Sequence, residues 1–201
     1  MHRQDEIRRL LPADLEIAAG ELIQLESALT LVRLDKGDRL LDPGEVCGFE
    51  GIVTKGCLRV YFTEPDGSER VLYFAPEGWY VTDIESLITG RPTALGIDAL
   101  EPTEVWVLDK ASRPSLEARF PACDRILRAL AETALVAFQK RLVGGMRKTA
   151  AERYLDFQRL YPGLDLRIPQ YHIAACLGIS PEFLSKLRKR LIREDYAAPR
   201  A

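Results

Sequence analysis

The sequence has 201 residues, of which 47% are hydrophobic and 29% charged, and this is ordinary for a globular chain of one or two domains. No stretch approaches the roughly 18 apolar residues of a membrane span, and the charged start lacks the apolar region of a secretory signal, so we expect a soluble cytoplasmic protein. Four cysteines and two histidines show no paired metal-ligand spacing. This predicts buried, reduced thiols and no metal site, and leaves open whether Cys47 and Cys57 approach each other across strands.

Charge is divided unevenly along the chain. Residues 1–140 carry 16 Lys and Arg against 24 Asp and Glu, a balance of −8, whereas residues 141–201 carry 12 against 6, a balance of +6. An acidic body with a basic C-terminal segment predicts two separate roles, one of them on a polyanion. Because solvated surfaces also differ in charge by chance, this prediction needs support from motifs.

The first part of the chain reads as a short helical segment followed by strands. Residues 12–28 place apolar side chains among acids and predict one or two short helices, with a break at Gly20. From about Leu31 to Asp109, runs rich in Val, Tyr, Phe and Leu alternate with Gly, Pro and Asp, which is typical of an antiparallel roll, barrel or sandwich. The stretch CLRVYFTEPDGSERVLYF predicts a hairpin that turns at Pro65-Asp66-Gly67. The segment EVWVLD, residues 104–109, is the predicted final strand.

The apolar spacing then becomes helical. From roughly Pro114 to Val143, apolar residues recur at three- and four-residue steps and predict a long helix, which packs on its own domain or on the same helix of a second subunit. Gly144-Gly145 predicts a hinge after it. A further helix, about Ala150 to Leu160, is expected to end at Tyr161-Pro162-Gly163 because proline cannot continue it.

The stretch IPQYHIAACLGISPEFLSKLRKRL, residues 168–191, predicts two helices joined by a tight turn. Gly178 permits a positive φ at the turn, Ser180 is a good N-cap and Pro181 fits the first helical position. Apolar positions expected to face inward are Ile173, Ala174, Leu177, Ile179, Leu184, Leu187 and Leu191. An exposed second helix of this kind fits the major groove of DNA.

Polar residues at the start of that helix are predicted to read bases, and the cations that follow are predicted to contact phosphates. The predicted DNA-binding residues are Ser180, Glu182, Ser185 and Lys186 for the bases, and Arg188, Lys189 and Arg190 for the backbone. Only ten residues follow Leu191, so we expect no full two-stranded wing. The alternative is an ordinary helical hairpin that caps a domain.

The order of roll, long helix and helix-turn-helix resembles the Crp/Fnr family of bacterial transcription regulators over essentially the whole chain. The resemblance rests on GCLRVYFTEPDGSERVLYFAPEGWYVTD and on ERYLDFQRLYPGLDLRIPQYHIAACLGISPEFLSKLRKR, and it looks closest to a branch common in Bacteroidetes-like genomes. It implies an α+β fold with a cyclic-nucleotide-binding-like antiparallel β-roll (1–113), a long dimerisation helix (114–144) and a helix-turn-helix DNA-binding domain (145–201). It also implies a homodimer that binds double-stranded DNA at promoters, and it admits RNA polymerase as a partner.

The resemblance also locates a ligand site, and there the sequence departs from the family pattern. Cyclic-AMP-binding members carry a phosphate cassette that runs from a Gly-Glu pair, through a short helix, to an Arg-Ser or Arg-Thr pair. Here Thr82-Asp83 stands in the first place and Pro92-Thr93 in the second, with Arg91 one position early and expected to point out of the pocket. Ordinary cyclic-AMP binding is therefore not expected, and another anionic effector, an apolar effector or none stays open. The candidate effector-binding residues are Asp83, Glu85, Arg91, Thr93, Phe138 and Gln139, the last two as a lid, with mere closure of the roll as the alternative.

Other chemistry is not expected. An iron–sulfur sensor needs a cysteine cluster, and no cysteine precedes Cys47; a haem sensor needs an axial ligand, and neither histidine lies in the predicted roll. A cyclic nucleotide or another small effector is the one cofactor-like ligand that the resemblance admits. No nucleophile–base pair, metal set or phosphate-cradling glycine motif predicts an enzyme. Two functions remain, a DNA-binding regulator and a small-molecule sensor whose helix-turn-helix contacts proteins.

Overall fold

A computed structural model of the chain describes residues 3–11, 16–120 and 122–197. It begins with two helices, α1 (Arg3–Leu10), which was not predicted, and α2 (Ala19–Ala28). Helix α2 confirms a helix within 12–28, although residues 12–15 of that prediction lie outside the described part. The predicted break at Gly20 is wrong, because Gly20 lies in the first turn of α2. The carboxylate of Glu21 accepts the Ala18 N–H at 2.7 Å and fixes the helix start there.

Two antiparallel four-stranded sheets follow, with strand orders β1-β8-β3-β6 and β2-β7-β4-β5. Their strands are β1 (Thr30–Leu34), β2 (Arg39–Leu41), β3 (Phe49–Lys55), β4 (Leu58–Thr63), β5 (Glu69–Ala75), β6 (Tyr80–Val81), β7 (Leu95–Ala99) and β8 (Thr103–Asp109). Fully buried residues of both sheets meet in one core, among them Val53, Val60, Ile97 and Val105. Strand β8 confirms the predicted final strand, and the arrangement is the predicted antiparallel roll.

The predicted hairpin is formed by β4 and β5. Gly67 takes a φ of +82° in the turn, and its N–H donates to the Glu64 carbonyl at 2.9 Å. A bulge shifts the register between the Val60–Tyr73 and Tyr61–Val71 pairs. Both faces of β4 are buried, because the C-terminal helices cover the outer face that the alternating sequence pattern leaves open.

The predicted single helix over 114–144 is two helices in the structure. Helix α3 (Ile84–Thr89) lies between β6 and β7, and after β8 come α4 (Arg113–Arg119) and α5 (Ala122–Arg147). The break arises because Phe120 precedes a proline, which disfavours helical backbone, and Phe120 adopts φ −138° and ψ 81°. Helix α5 also continues through Gly144 and Gly145 to Arg147 and so overruns the predicted end at 144. Glycine weakens a helix without breaking it.

The C-terminal unit contains α6 (Ala150–Leu160), α7 (Leu164–Arg167), α8 (Gln170–Leu177) and α9 (Pro181–Ala197). Helix α6 confirms its predicted bounds, and its start is fixed by the Thr149 hydroxyl, which accepts the Glu152 N–H at 3.3 Å. The four-residue α7 was not predicted. Residues 198–201 of the predicted domain lie outside the described part. The α+β fold class, an antiparallel roll followed by a long helix and further helices, is confirmed.

The C-terminal unit packs directly on the outer face of the roll. The ring of Phe74, on β5, meets Phe157 edge-on at 5.9 Å and Tyr161 at 5.8 Å between centroids, and Trp79 lies 5.0 Å from Tyr161. One apolar cluster therefore joins the roll to the C-terminal unit.

Among the described residues, no helix has the length and apolarity that crossing a membrane would take.

Candidate effector cavity and nucleic-acid interface

The segment that corresponds to the phosphate cassette is held together by its own side chains. Helix α3 begins directly after Asp83, whose carboxylate accepts the N–H groups of Glu85 at 3.1 Å and Ser86 at 3.3 Å. The hydroxyl of Thr93 donates to the same carboxylate. Asp83 and Thr93 are 7% and 5% exposed, so the structure brings these two predicted residues together in a buried position. Their polar atoms are engaged by each other and by neighbouring backbone N–H groups.

Arg91 lies at the surface beside this helix. Its backbone carbonyl accepts the Ser86 hydroxyl at 2.6 Å and its N–H donates to the Thr89 hydroxyl at 3.2 Å, while its side chain is exposed. Glu85 is exposed as well. The exposed side chain of Arg91 therefore lies at the surface and does not line the cavity described below.

A cavity of about 500 Å³ lies between the roll and α5. Aromatic and aliphatic side chains form most of its wall, and the ring of Phe138 stands edge-on to Tyr73 at 5.0 Å. Of the predicted effector-binding residues, Asp83 and Phe138 line this cavity. In the described part of the chain, Glu85, Arg91, Thr93 and Gln139 do not.

Two hydroxyl groups of the cavity wall are already paired. The hydroxyl of Tyr80 donates to Glu50 at 2.6 Å, and that of Thr82 donates to the Phe49 carbonyl at 2.7 Å. Burial raises the pKa of both Tyr73 and Tyr80, which keeps these phenols neutral. None of the described lining residues is Lys, Arg or His. A cyclic phosphate would find no guanidinium partner here, whereas an uncharged apolar molecule would meet a compatible wall.

The predicted helix-turn-helix geometry is present. Gly178 has a φ of +66° at the end of α8, and Pro181 is the first residue of α9. The Ser180 hydroxyl accepts the Phe183 N–H at 3.2 Å, which confirms the predicted N-cap. The predicted apolar face is also confirmed, because Leu184 and Leu187 are buried against the α8 side chains.

Six of the seven predicted DNA-binding residues are exposed at the start of α9 and along its first turns. They are Ser180, Glu182, Ser185, Lys186, Lys189 and Arg190. Hydrogen bonds from its own N–H and from the Ser180 hydroxyl lower the pKa of Glu182 and keep it an acceptor. Arg188 differs, because it is half-buried with its guanidinium 4.0 Å from Asp165. The same carboxylate accepts the Tyr154 hydroxyl at 3.1 Å. Arg188 therefore contributes to the inside of the unit.

The sequence did not reveal a buried charge network between the roll and α8. Arg59, on β4, donates to both carboxylate oxygens of Asp98 at 2.7 and 2.8 Å and to Glu69 at 2.5 Å. Its Nη1 lies 3.2 Å from Nδ1 of His172, on α8. Burial, and then the Arg59 charge, lower the pKa of His172 to about 4, so the imidazole is neutral. The sequence signal for this network was the charged residue Arg59 within the otherwise apolar run CLRVYF.

A second ion-pair group ties α7 to the roll. Arg167 donates to both carboxylate oxygens of Glu77, at 2.7 and 3.0 Å, and to Glu101 at 2.5 Å.

Cys47 and Cys57, whose proximity was left open, are both buried free thiols. Among the described residues, no cluster of His, Cys, Asp and Glu has the makings of a metal site.

Residues 31–116 match the family model described as "Cyclic nucleotide-binding domain". This stretch coincides with the strands of the roll and with the start of α4. A comparison with curated protein sequences found no match.

Solved structures share the fold over most of the chain. FixK2 from Bradyrhizobium japonicum matches with a TM-score of 0.69 and 21% identity, over 86% of this chain and 89% of that one. The c-di-GMP responsive global regulator CLP of Xanthomonas campestris matches at 0.69 and 17%, over 92% and 96%. The catabolite activator protein of Thermus thermophilus matches at 0.54 and 22%, over 89% and 85%. At these identities the likeness shows the fold alone, and it lends no support to the Bacteroidetes-like branch.

Proposed function

We propose that the protein is a dimeric, sequence-specific DNA-binding transcription regulator without enzymatic activity. The observation that carries the proposal is the α8–turn–α9 geometry, in which the start of α9 presents exposed polar and basic residues outward. The match of the roll to the cyclic-nucleotide-binding family supports a sensor role for the N-terminal part. The global regulator CLP and the Thermus catabolite activator protein have structures similar to this one over most of their length.

Base reading is assigned to the first turn and a half of α9. There Glu182 accepts from a cytosine amino group and Lys186 donates to guanine, while the hydroxyls of Ser180 and Ser185 adapt to either. Contacts to phosphates are assigned to the exposed Lys189 and Arg190, and not to Arg188, which is half-buried beside Asp165. Each phosphate contact releases counterions, so binding weakens steeply as salt rises.

Dimerisation is assigned to the exposed apolar side of α5. Leu135 and Leu142 lie seven residues apart and are 56% and 62% exposed, Val136 and Val143 repeat the same spacing, and Met146 is 76% exposed. A seven-residue repeat of apolar positions is typical of a seam between two helices. A second copy of α5 is the occupant that this spacing fits, and a two-fold dimer presents two α9 helices to successive major grooves.

Regulation is assigned to the cavity between the roll and α5. Because the wall lacks a cation and Asp83 is engaged by Thr93, cyclic AMP is not the expected effector. The cavity suits an uncharged, largely apolar effector, and α5 forms one of its walls through Phe138. An effector shifts the protein only to the extent that it binds two states unequally, so the position of α5 is the assigned two-state element.

Binding-site selection from a randomised duplex pool with the purified full chain tests the proposal. We expect an enriched, two-fold symmetric motif with half-site centres about 10 base pairs apart. Recovery of no motif, from a pool that a control DNA-binding protein does enrich, would contradict it. That outcome would favour the alternative of a sensor whose helix-turn-helix contacts proteins.

A further inference from the structure

A second cavity, of about 680 Å³, lies between the roll and the C-terminal unit. The β4–β5 hairpin, the end of α5, α6 and the end of α8 form its wall. It adjoins the effector cavity described above, since Phe138 and Tyr161 line both. Its wall differs in one respect, because it contains arginines.

Two of these arginines converge on the same helix end. Arg141, on α5, donates through Nη2 to the carbonyls of Val71 at 3.0 Å and Cys176 at 2.9 Å. Arg153, on α6, donates through Nη2 to the carbonyl of Leu177 at 3.2 Å. The two guanidinium groups therefore meet at consecutive carbonyls of the C-terminal end of α8, although they come from different helices.

These guanidinium groups lack a counterion. Among the described residues neither forms an ion pair. Nη1 of Arg141 and Nε of Arg153 are buried with no hydrogen-bond partner, whereas Nη1 of Arg153 donates to the Lys148 carbonyl at 3.1 Å. The end of α8 supplies roughly half a negative charge against two positive ones. A buried donor without a partner is costly, and a buried charge more so. The wall therefore contains two guanidinium charges that no carboxylate among the described residues neutralises.

The acids of the same wall are engaged elsewhere. Asp156 accepts from Lys148 at 2.5 Å and from Arg159 at 3.2 Å, and Glu64 lies 3.6 Å from Arg70. Most of the remaining wall is aromatic and aliphatic, including Phe62, Leu142, Phe157 and Leu177. A molecule that fits this cavity must offer both a negative group and an apolar body.

We propose that this cavity binds a small amphipathic anion, with a carboxylate, sulfonate or phosphate group on Arg141 and Arg153 and an apolar body against Phe62 and Phe157. The volume is within the range of about 300–1,000 Å³ that is usual for small-molecule sites. Because Arg141 also holds Val71 of the roll and Cys176 of α8, the bound anion lies where the roll, α5 and the helix-turn-helix unit meet. The site does not depend on the proposed DNA binding.

The fluorescent anion 8-anilinonaphthalene-1-sulfonate serves as the probe on the full chain, in the absence of DNA. Decanoate and decan-1-ol, which have equal chain length and differ in charge, are the competitors, and both are kept in the monomeric range. We expect decanoate to displace the probe at a concentration at least about ten-fold lower than decan-1-ol, as a charge-assisted hydrogen bond requires. Equal displacement by the two compounds in the native protein would overturn the proposal, and this comparison needs no variant.

Variants then locate the site. Arg141→Gln and Arg153→Gln are each expected to weaken decanoate about ten-fold and to leave decan-1-ol unchanged. Arg125→Gln is the matched control, since Arg125 is also on α5 and donates to the Glu16 carbonyl at 2.9 Å outside the cavity. Unchanged decanoate preference in both folded variants would refute the assignment.

Two filling substitutions separate the adjoining cavities. Ala175 lines the arginine-containing cavity and Ala131 lines the effector cavity. Ala175→Phe is expected to abolish displacement by decanoate, whereas Ala131→Phe leaves it intact. The opposite pattern would place the anion in the effector cavity and overturn the proposal. A failed operator selection would leave all these measurements unaffected.

Discussion

Replacing His172 by Asn tests the buried network that joins α8 to the roll. The Asn side chain keeps an acceptor near the Nδ1 position that faces Arg59, but it cannot titrate. In the native protein, burial and the Arg59 charge lower the pKa of His172 to about 4, against the opposing effect of Asp98 and Glu69. The substitution should therefore change how stability responds to pH more than it changes stability at neutral pH.

The size of the effect follows from linkage. An unfolded histidine has a pKa near 6.5, whereas His172 in the folded chain has a pKa of about 4. Between these two pH values the unfolded chain therefore binds a proton at this residue and the folded chain does not. His172 thus leaves stability intact above pH 6.5 and reduces it as the pH falls from 6.5 toward 4. At about 1.4 kcal/mol per pH unit, the loss between pH 7 and pH 5 amounts to about 2 kcal/mol.

Urea unfolding of the native protein and of His172→Asn at pH 7 and pH 5 measures this difference. We expect the native protein to lose about 2 kcal/mol more than the variant between the two pH values, since other titrating groups are common to both. If the two proteins lost the same free energy of unfolding, His172 would not be a buried neutral imidazole beside Arg59, and the network as described would be wrong.

Other variants test the cassette, the hinge, the dimer and base reading. Asp83→Ala removes the N-cap of α3 and should lower the free energy of unfolding by about 2 kcal/mol in urea melts; no loss would show that the cap is idle. Gly144→Ala with Gly145→Ala should raise helix stability by up to about 1 kcal/mol per site, because an added methyl comes no nearer than 3.8 Å to a neighbour. If DNA affinity and effector response both stayed unchanged in that variant, the hinge prediction would fail. Leu142→Glu should give a monomer in sedimentation equilibrium, and a persisting dimer would rule out the α5 seam. Lys186→Ala should reduce discrimination at one base position by about 1–3 kcal/mol in competition binding, whereas equal weakening on all duplexes would make Lys186 a phosphate contact.

The features that were predictable from the sequence are those fixed by local chemistry. The turn at Gly178, the cap at Ser180 and the first-position Pro181 each follow from backbone sterics and one short-range hydrogen bond. The hairpin turn at Gly67 and the end of α6 at Leu160 have the same origin. Because these signals lie within a few residues of the structure they specify, both the helix-turn-helix and the roll could be predicted from the sequence.

What was missed depends on packing between distant segments. Alternation in β4 predicts one buried face, yet the outer face is also covered, because α6 and α8 dock on it. Two of the partners of Arg59, Asp98 and His172, lie 39 and 113 residues away along the chain, so no local pattern could reveal them. The break before α5 could have been predicted, because the proline after Phe120 disfavours a helical conformation of Phe120.

The candidate site was predicted only in part for a related reason. The resemblance placed Asp83 and Thr93 in one cassette, but the bond between them depends on how α3 closes against the strand that follows. The apolar character of the effector cavity depends on α5 lying across the roll and contributing Phe138. The convergence of Arg141 and Arg153 on the end of α8 likewise requires three helices to be in place.

A comparison of two duplexes tests whether α9 reads a DNA sequence. Fluorescence anisotropy gives the affinity of the full chain for the selected operator and for a scrambled duplex of equal composition, each over a range of salt concentrations. We predict an operator preference of at least about 1,000-fold at physiological salt, with both affinities falling as salt rises. A ratio near one at every salt concentration would show that α9 does not read a DNA sequence.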